Sequence, residues 1–301
     1  MYSNKIPSFL VVGAAKSGTT SLHHYLNAHP DLFLPEIKET WFFSTYNNPN
    51  QSIKKYFPKF EFPSSWEDYL GVFSTASSSQ MCGEITPSYL FYHELVVENI
   101  KRFYPSWEDL KIIIILREPI AKVLSHFRYV QKAKLDPEDL DLWTALQREE
   151  ERSSDPNLIY DLLYVANTSY YQQVKTYLEN FPQCQVVLFE ELRDQPRELL
   201  DKLATFIGVD SINWPTEKVH NVSKHKRGVP NGPVAAWLLK HKRQISQFVP
   251  SSLRGKLGAQ LWKEDKLDPR AISFLQKVFK EEVIQLEDLI QQDLSHWLAK
   301  Y

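Results

Sequence analysis

Residues 8–20 read SFLVVGAAKSGTT. SFLVV is a continuous apolar run with the length of a buried strand. GAAKSG is a loop. From Thr19 onward Leu22 and Leu26 lie one turn apart, which predicts a helix over Thr19–Ala28 that stops at His29-Pro30. Strand, glycine loop and helix in that order open a nucleotide-binding α/β domain. Gly13–Thr20 almost matches the phosphate-binding pattern GxxxxGK[ST]. Thr19 stands where that pattern has lysine, and the lysine has moved inside the loop, to position 16. The anion-binding physics survives this move. The loop amides and the helix N-terminus favour negative charge, and Lys16 adds a full positive one.

The next decisive stretch is Lys111–Leu116, KIIIIL. Its β-branched run predicts a central strand of a parallel sheet buried on both faces. It ends in Arg117-Glu118-Pro119, and Pro119 suits the first position of a helix in which Ile120, Val123, Leu124 and Phe127 repeat. Ser125 lies about 140° round that helix from Ile120, off the apolar face. A phosphate-loop NTPase needs a carboxylate at the end of a neighbouring strand to hold Mg²⁺. Here the neighbouring strand ends in Arg117, a cation that repels a metal and attracts a second anion. Two cationic phosphate sites, with Ser125 beside the second, point to a nucleotide phosphorylated in two places.

Elsewhere, residues 44–80 read as an irregular excursion with short helices, a candidate for covering a site. The charged run 131–158 reads as a solvated helix face or loop. Tyr170–Asn180 predicts an amphipathic helix and Gln185–Phe189 a short buried strand. Pro196–Ile207 predicts a helix that Gly208 caps. Residues 220–232 form a basic loop, and the C-terminal third is helical, with Ile272, Leu275, Val278 and Phe279 in phase. No repeat or linker divides the chain, so residues 1–301 are expected to form a single α/β domain, a central parallel sheet flanked by helices in a P-loop-like nucleotide-binding fold.

Composition narrows the function classes. With 35 Lys+Arg against 37 Asp+Glu the net charge is −2, which speaks against a general nucleic-acid coat. Cys82 and Cys184 are far apart and form neither a disulfide framework nor a metal motif. No apolar run approaches the ~18–20 residues of a membrane span. No paired-histidine metal motif occurs. These features predict a cytoplasmic protein without a bound metal.

Four segments taken together resemble the sulfotransferase family, its heparan-sulfate-type branch and bacterial relatives. They are residues 7–43 (PSFLVVGAAKSGTTSLHHYLNAHPDLFLPEIKETWFF), 82–90 (CGEITPSYL), 112–127 (IIIILREPIAKVLSHF) and 294–297 (LSHW). The resemblance runs from Pro7 to Trp297. It implies 3′-phosphoadenosine 5′-phosphosulfate (PAPS) as donor and adenosine 3′,5′-bisphosphate as product. It implies that Lys16, Ser17, Gly18, Thr19, Thr20 and Ser21 hold the 5′-phosphosulfate, and that Arg117 and Ser125 hold the 3′-phosphate. The branch places a glutamate general base in a K-E-x-x-F-F segment, which here is Lys38–Phe43. Glu39 is therefore the expected base, and Trp41, Phe42 and Phe43 are expected to give it apolar surroundings.

Two features depart from the family pattern. Relatives often have lysine after the glutamate of E-K-[ST]-P-x-Y, where this chain has Ile85. A cationic contact is thus missing or supplied elsewhere, and Glu84 is a second candidate base. The family's basic donor-covering loop aligns with Ser223–Pro230, where Lys224, Lys226 and Arg227 are candidates, Arg227 being favoured for its bidentate grip on phosphate.

The resulting expectation is a metal-independent sulfotransferase acting on a hydroxyl. The acceptor is expected to be small or lipid-like, a carrier-bound acyl chain included, because no large basic stripe suits a polyanion. A nucleotide or small-molecule kinase is a rival reading, and a degenerate nucleotide-binding domain without catalysis is another.

Overall fold

The computed structural model describes residues 6–133, 135, 140–155, 157–216, 229–230, 262–263 and 268–300. The chain packs as two units, residues 1–220 with 270–301, and residues 221–269. In the second unit Val229–Pro230 pairs antiparallel with Trp262–Lys263. The candidates Lys224, Lys226 and Arg227 lie outside the described residues.

The first unit is built on five strands: β1 (Phe9–Gly13), β2 (Leu32–Phe33), β3 (Met81–Ile85), β4 (Lys111–Leu116) and β5 (Cys184–Leu188). Their order is β2-β3-β1-β4-β5, and every pairing is parallel. Side chains alternate between the two faces of the sheet with period two. Leu10, Val12, Ile112, Ile114, Leu116, Val186 and Leu188 enter one core, with Val96, Ile100, Val174 and Tyr177 from the helices His93–Phe103 and Tyr170–Asn180. Phe9, Val11, Ile113, Ile115 and Val187 enter the other, with Leu22 and Leu26 and the Leu199–Ile207 stripe of the helix Pro196–Ile207. A sheet covered on both faces explains why KIIIIL has no polar alternation. Each fully buried aliphatic side chain contributes roughly 1.5–3 kcal/mol.

The topology positions the site. From β1 the chain moves outward to β2 and β3 on one side, then crosses to β4 on the other. The carboxyl ends of β1 and β4 therefore lie side by side at a switch in strand order, the place where open α/β sheets bind ligands. The Ala14 N–H donates to Ile115 O at 2.7 Å there.

The helix after β4 spans Pro119–Ala133. Glu118 caps it by accepting from the Ile120 and Ala121 amides at 2.7 and 2.8 Å, satisfying two donors that a helix start leaves open. The predicted strand over Gln185–Phe189 is Cys184–Leu188, and the first helix ends at Leu26. Gly208 caps Pro196–Ile207 in the left-handed region, as its sequence position predicts.

Two expectations need correction. The excursion over 44–80 does contain short helices, Ser52–Tyr56 and Trp66–Gly71, but it is more than a cover. Tyr69 and Phe73 are fully buried and pack with Phe42 and Phe43 in the first core, because stacked aromatic rings supply apolar area that the narrow sheet leaves to be filled. The run at 149–152 is not uniformly solvated. Arg152 is buried, and Glu149 turns inward to accept from the Val165 and Ala166 amides at 2.9 and 2.8 Å.

Candidate active site

The loop after β1 turns twice through the left-handed region, at Lys16 (φ 65°) and Gly18 (φ 89°). Gly18 is the N-cap of the helix Thr19–Leu26. A side chain at this position meets Phe189, since an added Cβ falls 2.9 Å from its ring. Glycine therefore answers both a backbone conformation and a close approach. Ser17 is wholly buried under the loop, Thr19 is buried at the helix start, Ser21 is half-buried and Thr20 is exposed.

Arg117, at the end of β4, meets this loop directly. Its Nη1 donates to Lys16 O at 3.0 Å, and its guanidinium lies 4.7 Å above the Phe189 ring. The ring that limits Gly18 thus also supports Arg117. The Arg117 carbonyl accepts from Tyr170 OH at 3.1 Å. Ser125 is half-buried, two turns into the helix Pro119–Ala133.

Positive charge converges on the loop. Burial pushes the Lys16 pKa down from the usual lysine range; Asp161 opposes this, while Arg117, Lys38 and Lys132 push further down. Lys16, Arg117, Lys38 and Lys132 beside the loop amides suit a multiply charged anion.

Glu39 reaches the same place through its neighbour. Lys38 Nζ donates to Glu39 Oε1 at 3.0 Å and to Thr20 Oγ1 at 2.9 Å, so one ammonium ties the candidate base to the first turn of the helix Thr19–Leu26. The Glu39 side chain is 28% exposed, accessible to a substrate. The expected aromatic surroundings are arranged differently. Phe42 and Phe43 turn into the core, and Trp41 stacks on Phe57 at 5.0 Å, while the carboxylate itself meets the Lys38 ammonium. The reason is local: Trp41 adopts φ 53° and caps the short helix Phe42–Thr45, which swings the rings inward.

Tyr129 connects the two halves. Lys16 Nζ lies 4.5 Å above its ring. Burial, then Asp161 and Glu39, push its phenol up to about 12. Motif reading singles out neither Lys38 nor Tyr129. Lys38 carries a signal in its place beside Glu39 in KETWFF. Tyr129 carries only its helical spacing from Ser125 and His126.

Glu84 is differently placed. It is fully buried and accepts four hydroxyl hydrogen bonds, from Thr40 (2.5 Å), Thr86 (2.6 Å), Tyr69 (2.7 Å) and Tyr89 (2.8 Å). Burial pushes its carboxyl up, against the pull of those donors. Ile85, where relatives often have lysine, packs in the second core.

The sequence profile of the sulfotransferase domain matches residues 7–287. The chain belongs to the sulfotransferase family. A sulfotransferase of Alicyclobacillus acidocaldarius has a similar structure, with a TM-score of 0.70, 27% identity and coverage of 97% of this chain and 98% of that one. A bifunctional heparan sulfate N-deacetylase/N-sulfotransferase 1 of Mus musculus is 25% identical over 99% of this chain and 31% of its own length. The membrane-associated sulfotransferase kil1 of Dictyostelium discoideum is 22% identical over 80% of this chain and 64% of its own length. This sulfotransferase chain thus spans less than two thirds of either of those two curated relatives. Among its described residues no helix is long and apolar enough to cross a membrane.

Proposed function

We propose that this sulfotransferase moves a sulfuryl group from PAPS to an acceptor hydroxyl, with Glu39 as general base and Lys16 as the group that stabilises the leaving oxygen. The observation that carries this reading is the Lys38 bridge, which joins Thr20 at the donor loop to Glu39. The loop residues Lys16, Ser17, Gly18, Thr19, Thr20 and Ser21 take the 5′-phosphosulfate, and Arg117 and Ser125 take the 3′-phosphate. Arg227 is assigned to the donor from its sequence position.

In the reaction the acceptor oxygen attacks sulfur in line, and its proton passes to the Glu39 carboxylate as the new O–S bond forms. The S–O bond to the 5′-phosphate breaks, and its electron pair stays with adenosine 3′,5′-bisphosphate. Lys16 meets the charge that develops on that oxygen. Fixed cations and loop amides suffice for this, because the transferred group carries less charge than a phosphoryl group. Lys38 supplies the cation that Ile85 does not. The acceptor is read as small or lipid-like, carrier-bound acyl chains included. Free Cys82 and Cys184 accord with a reducing, cytoplasmic setting.

The test is an acceptor screen with isotope-labelled PAPS, read by mass spectrometry in the presence of EDTA. Labelled sulfate ester on a hydroxyl acceptor is the expected product. Turnover that requires Mg²⁺ and ATP instead overturns the proposal in favour of a kinase. Donor binding with no transfer to any hydroxyl reduces the chain to a binding domain.

A further inference from the structure

The helix Pro119–Ala133 buries more than its apolar face. Lys122 and His126, one turn apart, are both 0% exposed, and Tyr129 follows on the same side. Burying such groups is costly unless they are paired. Lys122 is satisfied by Asn167 O, Asn167 Oδ1 and Thr168 Oγ1 at 2.7, 2.6 and 3.0 Å. His126 Nε2 lies 2.9 Å from Asp161 Oδ1. A carboxylate only accepts, so Nε2 carries the hydrogen and donates. Burial pulls the His126 pKa down; the Asp161 hydrogen bond and charge oppose this, and Lys122 and Lys16 add to it.

This pair lies behind the donor loop. Lys16 Nζ sits on the Tyr129 ring, and that ring is 6.2 Å from the His126 ring. The charged groups acting on Lys16 from the surrounding elements are Arg117 after β4, Lys38 beside Glu39, Lys132 at the helix end, and Asp161. Three of the four are cations. We infer that Asp161, held in place by His126, is the fixed counter-charge for the Lys16 ammonium. This rests on the donor-binding reading of Lys16 given above. The choice of histidine as holder is physically apt. A neutral imidazole fixes the carboxylate without adding another cation, so the negative charge of Asp161 remains available to Lys16 until the donor brings its own.

The experiment is calorimetric titration with adenosine 3′,5′-bisphosphate from pH 7 to pH 10. Wild-type affinity is expected to fall on the alkaline side as Lys16 loses its proton. Asp161→Asn keeps the shape and removes the charge, so that limb moves down by about one pH unit. Well above both midpoints the variant then binds up to about tenfold more weakly than wild type, and well below them no more weakly. Lys16→Arg stays charged, so adding Asp161→Asn to it leaves affinity at pH 9 unchanged. If Asp161→Asn does not fold, His126→Leu must move the same limb and His126→Gln, which retains a donor, must restore it. A folded Asp161→Asn with an unmoved limb overturns the inference and leaves the donor reading intact. A wild-type protein that binds no bisphosphate overturns the donor reading itself.

Discussion

Thr40 donates to Glu84 Oε1 across 2.5 Å, and this bond fixes the backbone next to Glu39. The Thr40 amide in turn donates to Thr86 Oγ1 at 3.2 Å. Both bonds run from the Glu39 segment to the end of β3, so Glu84 acts as the buried anchor of that segment. Glu84→Gln replaces an acceptor of four hydroxyl bonds by a group that must also donate. At least one bond is lost or reversed, which costs roughly 1–3 kcal/mol. The expected outcome is a lower denaturation midpoint with a smaller loss of kcat than Glu39→Gln. Abolished transfer by a stably folded Glu84→Gln, with Glu39→Gln still active, would move the base to Glu84.

Lys16 and Glu39 divide the chemistry in a way that kinetics can separate. In the proposed reaction Lys16 meets the donor in both ground and transition states. Lys16→Ala is expected to weaken donor binding and to lower kcat by roughly 10²–10³, the scale of one lost charge-stabilising group. Glu39 is proposed to take the acceptor proton. Glu39→Gln is expected to lower kcat by roughly 10²–10⁴ with donor affinity nearly unchanged. Steady-state kinetics beside bisphosphate titration checks both. A Glu39→Gln variant that loses donor affinity in proportion to its rate contradicts the assignment.

The parts of this molecule that are legible in the sequence are those governed by local pattern. KIIIIL marks β4 to the residue, because five apolar neighbours in a row have few alternatives to a doubly covered strand. GAAKSGTT marks the loop and helix start, because the left-handed turn at Gly18 is a local backbone need that glycine answers. What stays hidden depends on distant partners. Glu149 and Arg152 read as a solvated run, and only the amides of Val165 and Ala166 give Glu149 a reason to turn in. Glu84 reads as a second candidate base, and its four hydroxyl partners come from three separate segments. The Lys38 bridge joins residues 18 apart in sequence, a distance at which side-chain geometry leaves no periodic trace.

The two-anion reading of Lys16 and Arg117 predicts ligand preference. The Arg117 guanidinium reaches the carbonyl of Lys16, so both residues lie together at the carboxyl ends of β1 and β4. A nucleotide that carries phosphate at both 3′ and 5′ positions engages both; 5′-AMP engages one. Adenosine 3′,5′-bisphosphate is expected to bind at least tenfold more tightly, since a charge-assisted hydrogen bond contributes about 1.5–3 kcal/mol. Calorimetry on the wild type and on Arg117→Ala checks this, with the preference expected to collapse in the variant. Equal affinities in the wild type remove the assigned role of Arg117 and Ser125.

Lys122 makes a prediction about stability and pH. It is fully buried, and burial pulls its pKa down from 10.5 to about 7, with Asp161 and Glu149 resisting the fall. In the unfolded chain the amine keeps its ordinary value of about 10.4. Between these values the unfolded state binds more protons than the folded one, so stability rises with pH across that window. The contribution of the neutral amine is complete above the unfolded pKa and is lost as pH falls through about 7. Lys122→Met removes the titrating group and its hydrogen bonds to Asn167 and Thr168, of which a neutral amine donates two and only the ammonium all three. Groups on which Lys122 does not act titrate alike in both proteins and cancel in the difference; His126 and Glu149 feel its charge and do not. The difference in unfolding free energy, wild type minus variant, is therefore expected to climb from pH 7 toward pH 10, measured by urea denaturation at fixed ionic strength. A difference that stays flat, or falls, would show that Lys122 keeps its charge in the folded protein.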